Sequence, residues 1–214
     1  VDLELYHGLC LFHPEDSPFA IEQLPDVFTQ FRKRMEKYSQ VRELIPTPEK
    51  INSPALEATG VPTIEELGFE KPEADQRAAI QFKGGALEAE KRLDYYLWDT
   101  DQVATYKKTR NGLIGADYST KFSAWLANGC ISPRTIYHEV EAYEAERKSN
   151  SSTYWVKFEL MWRDYFKYVA MKYGRKIFWK GGIQDKSIKF RTHQRVFYKW
   201  AEGRTGDDFV DANM

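Results

Sequence analysis

Two stretches of this sequence bring together side chains that can hold charged or reactive ligands. The first runs from Tyr106 to Ser123, where a loop containing Gly112 and Gly115 is followed by Asp117-Tyr118-Ser119-Thr120-Lys121-Phe122-Ser123. Ser119, Thr120 and Ser123 offer hydroxyls and backbone N–H groups at the start of a short helix carrying Trp125 and Leu126, and Lys121 adds a cation. A helix start with hydroxyls and a positive side chain is an anion site. Ser119 or Thr120 serving as a simple N-cap is the competing reading, and spacing alone favours it. The second stretch is a helical segment in which Glu159, Trp162, Arg163 and Phe166 fall at i, i+3, i+4 and i+7. Those positions share one face. Glu159 and Arg163 could be a helix-stabilising pair worth about 0.2–0.5 kcal/mol. The rest of that segment is aromatic and apolar, so a carboxylate on it is costly unless it has a partner or a task.

The elements that must position these residues are mostly helical. Residues 3–12, LELYHGLCLF, read as a short strand ending at His13-Pro14. Pro25 opens an amphipathic helix to about Tyr38, with Val27, Phe28, Phe31 and Met35 on one stripe. Residues 45–85 contain Pro46, Pro48, Pro54, Pro62 and Pro72 and read as a long ordered linker with one short helix at 63–67. From Gly85 the pattern is helical, through Leu87, Leu93, Tyr96 and Leu97, and a second helix runs from Asp99 to Arg110, closed by Asn111-Gly112. Ser132-Pro133 caps and opens a helix to about Ser149. Thr153 to Tyr173 is the most apolar helix, stopped by Gly174, and a last helix spans 191–202. The fold class expected is mainly α.

Composition narrows the function classes. The chain has 214 residues, with 42% hydrophobic and 29% charged, as in an ordinary globular protein. Cys10 and Cys130 lie far apart with no ligand-like neighbours, which excludes a disulfide framework and a zinc site and suits a reducing compartment. No apolar run approaches membrane-spanning length. The formal net charge of −1 hides a polarity, because residues 151–204 hold 13 Lys or Arg against 4 Asp or Glu. The same segment carries 14 aromatic residues, Trp155, Trp162, Trp179 and Trp200 among them. Cations interleaved with planar rings suit an unstacked nucleic acid, with a solvated helix face and aromatic core as the plainer alternative.

Three tracts carry a family resemblance. They are Gly84-Gly85 with LEAEKRLDYYLW and ATYKKTRNGLIGADYSTKFSAWLANGCISPR over 104–134; TYWVKFELMWRDYF over 153–166; and YKWAEGRTGDDFVDANM over 198–214. With the LYH segment and PDVFTQFRK near the start, they resemble the photolyase and cryptochrome family, with its DASH branch the nearest match. The resemblance implies the first half of a helical FAD-binding domain at 84–214. A helix and interdomain linker would precede it at 25–83, and 1–24 would be the end of an α/β antenna domain and the start of the linker. It further implies FAD contacts at Tyr106, Ser119, Thr120, Lys121, Phe122 and Ser123. Arg110, Glu159, Trp162, Arg163 and Phe166 would lie on a DNA path, with Glu159 and Trp162 at the reacting lesion. The activity implied is blue-light-driven, FAD-dependent repair of cyclobutane pyrimidine dimers, preferentially in single-stranded DNA. A photoreceptor that binds nucleic acid or a partner without repair is the alternative. A methenyltetrahydrofolate antenna is possible in an intact protein, and no membrane or metal is expected.

The chain departs from the family pattern in places. Both ends read as cuts, with Val1 in place of Met and nothing terminal about Met214, so the residues completing the flavin pocket would lie beyond it. The compartment stays open between cytoplasm, nucleus and an organelle reached by an upstream transit peptide. Phe190 stands where the family places the surface tryptophan of a flavin-reducing relay, and Gly206-Asp207-Asp208 stands for a usual Gly-Tyr-Pro.

Overall fold

The computed structural model describes all residues except Val1, Asp2, Leu5, Leu56, Ala58, Thr59, Leu113, Ile114, Phe190 and Arg191. Phe190 and its expected part in electron transfer therefore lie outside the described residues. The chain divides into two compact units, Val1–Lys172 and Tyr173–Met214, each taken by itself below.

The spine of the first unit is α6, Ser151–Tyr173. It begins two residues earlier than expected because Asn150 caps it, its Oδ1 accepting from the N–H groups of Ser152 (2.6 Å) and Thr153 (3.1 Å). Thr153 answers by accepting from the Asn150 N–H at 3.0 Å, which satisfies three otherwise orphaned groups. Against α6 lies α1, Phe28–Tyr38, which starts three residues after Pro25. Its buried stripe is Phe28, Phe31 and Met35, and full burial of each such side chain is worth about 1.5–3 kcal/mol. Val27, expected on that stripe, is exposed.

The strand expected over 3–12 is not found; among the described residues there is none in the chain. Main-chain groups of Leu9, Leu11 and Phe12 go to side chains of α6 instead of to another strand. The N–H groups of Leu11 and Phe12 donate to Asp164 at 2.9 and 2.8 Å, and the Phe12 carbonyl accepts from the Tyr168 hydroxyl at 2.9 Å. The Leu9 carbonyl accepts from Lys167 at 2.8 Å and from Arg163. Further on, the Leu24 and Pro25 carbonyls accept from Lys172 and Tyr165.

The linker is largely exposed and irregular, and the helix expected at 63–67 is a single turn. In that turn the Glu66 carboxylate accepts from the Thr63 N–H, and the Thr63 hydroxyl accepts from the Glu66 N–H. Helical order resumes with α2, Ala86–Asp94, after Gly85 at φ +98°, a conformation that only glycine adopts cheaply. It continues through a π turn at Tyr95–Asp99. The second helix expected from Asp99 is broken: Asp101 sits at φ +51°, a 3-10 turn covers Gln102–Thr105, and α3 is only Tyr106–Thr109. Asp101 is held there by Tyr143 (3.0 Å) and Arg147 (2.7 Å), both donating to its carboxylate. These donors belong to or adjoin α5, Pro133–Glu146, which opens at the expected Ser132-Pro133 and ends three residues short of Ser149. Between α3 and α5 lies the short α4, Ser123–Ala127.

The second unit contains a 3-10 turn at Gly174–Phe178, then α7, Gln194–Ala201, and α8, Asp208–Asp211. The Gly206-Asp207-Asp208 departure has a local reason: Asp207 caps α8, accepting from the N–H groups of Phe209 and Val210 at 3.1 Å each. Among the described residues no helix is long and apolar enough to cross a membrane.

Candidate functional site

A cavity of about 240 Å³ in the first unit is lined by Tyr106, Thr120, Phe122, Ser123, Leu126, Ala127, Val156, Glu159, Leu160 and Arg163. It gathers residues from both sequence stretches, since α3, α4 and the middle of α6 converge on it. Tyr106 is buried, and desolvation followed by the charge of Glu159 holds its phenol above the ordinary range. A larger cavity, about 420 Å³, opens between α1, α5 and α6 and contains none of the expected residues. Among its polar groups, Tyr154 donates to Glu36 at 2.6 Å and Lys157 lies 3.9 Å from the Glu141 carboxylate. The smaller cavity is therefore the candidate site.

The loop feeding α4 is shaped by Arg92, which sequence reasoning missed. Its guanidinium donates to the carbonyls of Ala116 (2.7 Å), Ser119 (3.2 Å) and Thr120 (3.0 Å) and to the Asp117 carboxylate (3.3 Å). Arg92 is buried on the apolar stripe of α2 beside Ala89 and Leu93. A charge on such a stripe was the available signal. With the carbonyls of residues 119 and 120 clamped, Lys121 is forced to φ +60°, which costs a side-chain-bearing residue on the order of 1 kcal/mol. A second constraint lies at Gly112, where a Cβ would meet the Tyr118 ring at 2.4 Å.

The two readings of Ser119 and Thr120 are separated by this geometry. α4 begins at Ser123 with Phe122 as its N-cap residue, and no side chain caps it. The hydroxyls are thus not spent on capping. Thr120, Phe122 and Ser123 reach the cavity wall, while Ser119 and Lys121 are absent from it.

The second stretch is divided. Successive residues on an α-helix turn by 100°, so Trp162 and Arg163 cannot point the same way. Glu159 and Arg163 face the cavity, but they are not each other's partner. Glu159 pairs with Arg110, the C-cap of α3, and both side chains are 32% exposed. Arg163 donates to the backbone carbonyls of Leu9 and, at 2.9 Å, Leu126. Trp162 stacks on Phe28 of α1, with ring centroids 3.6 Å apart and planes within 12°. The exposed Phe166 stacks on the indole's neighbourhood at 5.5 Å.

The basic character of α6 is structural to the same degree. Lys157 pairs with Glu144, Arg163 and Lys167 hold Leu9, and Lys172 pairs with Asp26 at 2.8 Å. Those four cations fasten the first unit together, which a count of charges along the sequence does not reveal. On the neighbouring α3, Lys107 and Arg110 lie over the ring of Trp155, at 4.5 and 5.6 Å. This half-buried indole is flanked by two cations. Among the described residues no cluster of His, Cys, Asp or Glu could hold a metal ion.

Comparison with known proteins agrees over the whole chain. A curated protein of Danio rerio named cryptochrome DASH is 54% identical over 100% of this chain, and the match covers 42% of that relative. One of Oryza sativa, named cryptochrome DASH, chloroplastic/mitochondrial, is 46% identical over 99% of this chain and 37% of the relative. A crystal structure of a Synechocystis cryptochrome superposes with a TM-score of 0.84 at 47% identity, covering 98% of this chain and 44% of that one. No family model matches the sequence. The chain thus spans about two fifths of the length of these relatives.

Proposed function

From the premise that this chain belongs to the cryptochrome DASH family and has the helical fold of that family, we propose that the intact protein is a blue-light-driven, FAD-dependent enzyme. Its substrate on this reading is a cyclobutane pyrimidine dimer, taken preferentially from single-stranded DNA. The observation that carries it is the convergence of Tyr106, Thr120, Phe122 and Ser123 with Glu159 on one cavity. Hydroxyls not used for capping, an apolar floor of Val156 and Leu160, and a clamped loop make a fitting wall for a dinucleotide such as FAD. At about 240 Å³ the cavity is smaller than the roughly 300–1,000 Å³ of a complete ligand pocket. Such a size suits one wall of a larger site. On the same reading residues 1–24 close an antenna domain, 25–83 run between two bodies, and 84–214 begin the flavin-binding one.

The chemistry FAD supplies when bound is electron donation under blue light. This chain's residues bind and orient. Thr120 and Ser123, with Ser119 and Lys121 behind them, would hold the pyrophosphate, and Tyr106 and Phe122 would close the pocket against water. Glu159 would accept or donate a hydrogen bond at the flipped base, where charge develops. Trp162 is stacked on Phe28 and does not line this cavity, so its place at the lesion rests on the family resemblance alone. Single strands are preferred because no duplex has to be opened before a base is splayed out.

The test is Glu159→Ala in the intact flavoprotein, assayed on an irradiated oligonucleotide. Losing a hydrogen bond aimed at developing charge costs about 10²–10³-fold in rate, with the flavin absorption unchanged. Undiminished repair would sink the assignment of Glu159, and loss of flavin would make it a structural residue.

A further inference from the structure

Arg110 is the cation paired with the carboxylate that the proposed reaction needs. Its guanidinium sits on Glu159 at the rim of the cavity, both groups about one third exposed. It also lies over the Trp155 ring at 5.6 Å, beside Lys107 over the same ring at 4.5 Å. Lys107 and Lys108 are exposed on the same turn. Arg110 is thus the less exposed of two cations over the Trp155 ring, and a flat indole gives its guanidinium a surface along which to move without losing contact.

Resting on the reading that nucleic acid binds across this face, we propose that Arg110 is a latch shared between two anions. In the free protein it holds Glu159; when a strand binds, a phosphate takes the guanidinium and Glu159 is released to the base. The pair is open to solvent on one side, each group about one third exposed, so an arriving phosphate can reach the guanidinium and displace the carboxylate. A guanidinium fits carboxylate and phosphate equally well through its planar fork, which an ammonium does not. The pairing keeps Glu159 from being an uncompensated charge beside an apolar cavity while no substrate is present. It also makes release of Glu159 depend on the backbone being in place.

This exchange has a signature that ordinary electrostatics lacks. Full-length, flavin-loaded protein is compared as wild type, Glu159→Gln, Arg110→Ala and the double variant, by equilibrium binding of an undamaged single-stranded oligonucleotide at fixed salt. Glu159→Gln removes the competing anion and should tighten binding by about two- to five-fold. Arg110→Ala should weaken binding. In the Arg110→Ala background, Glu159→Gln should have no effect, because the carboxylate acts only by occupying Arg110. Equal tightening in both backgrounds would mean simple repulsion between Glu159 and phosphate and would overturn the latch, as would no tightening at all. If none of the four proteins binds the oligonucleotide, the nucleic-acid reading itself fails, a result distinct from failure of the latch.

Discussion

Asp164 shows how much one side chain decides here. It is fully buried, and its two oxygens accept from consecutive backbone N–H groups, those of Leu11 and Phe12. Burial pushes its carboxyl up to about 6, against the pull of those hydrogen bonds and of Lys167 and Arg163. The same burial, followed by the charge of Asp164, pushes the Cys10 thiol up to about 11, so Cys10 should resist alkylation at neutral pH. An unfolded Asp titrates near 3.9, so between about pH 4 and 6 the native state binds the extra proton. This group therefore contributes most stability below about pH 4. That contribution, on the order of 3 kcal/mol, is lost as pH rises to 6 and stays lost above. Denaturant melts across pH 4–7 should show the decline in wild type and its absence in Asp164→Asn. At pH 4, where wild-type Asp164 is neutral, the variant should be less stable by about 1–3 kcal/mol, because the NH₂ of an amide cannot accept from the second N–H as a carboxyl oxygen can. Equal stability of the two proteins at pH 4 would mean that the contact is incidental.

At the scale of elements, α6 and the Arg92 clamp do different work. α6 holds Leu9, Leu11, Phe12, Leu24, Pro25 and Asp26 through Arg163, Asp164, Tyr165, Lys167, Tyr168 and Lys172, so that the end of the expected strand needs no strand partner. Arg92, from α2, holds the loop that leads to the candidate FAD wall. Arg92→Lys keeps the charge but replaces a planar fork by a point donor, leaving at least two of the carbonyls of Ala116, Ser119 and Thr120 without a partner. At about 1 kcal/mol for each lost bond, the intact protein should melt several degrees lower and release flavin about tenfold more readily. Calorimetry and filtration of the bound flavin measure the two. A lower melting temperature with flavin retention untouched would separate the loop from the site.

For the whole molecule, the decisive facts are that 214 residues match about two fifths of their relatives and that the cavity holds about 240 Å³, below the range of a complete ligand pocket. Residues 1–214 expressed alone should therefore retain little FAD and should bind a dye specific for exposed apolar surface. The exposed Phe197, Tyr198 and Trp200 of α7 would contribute to that signal. A monodisperse yellow preparation with stoichiometric flavin would show that the wall seen here is the complete pocket.

The sequence by itself determined that the protein is helical, where its longest helices lie, and which family it belongs to. These properties are local or written in contiguous tracts: Ser132-Pro133 starts a helix wherever it occurs, and LMWRDYF is recognisable without a fold. It also marked Tyr106 and the 119–123 tract as cofactor contacts and Glu159 as a lesion contact, in two separate stretches; that Tyr106, Thr120, Phe122, Ser123 and Glu159 line one cavity is a result of the tertiary fold. What only the tertiary structure decided is pairing. Glu159 was four residues from Arg163 in sequence yet chose Arg110, 49 residues away, because α3 crosses the face that Glu159 presents. Residues 9–12 were strand-like in composition yet gave their hydrogen bonds to α6, more than 150 residues on. Arg92 and Asp164 passed unnoticed in the sequence, because only folding brings alongside the backbone groups they serve. A buried polar side chain takes its meaning from partners that only folding delivers, and spacing along the chain carries no record of them.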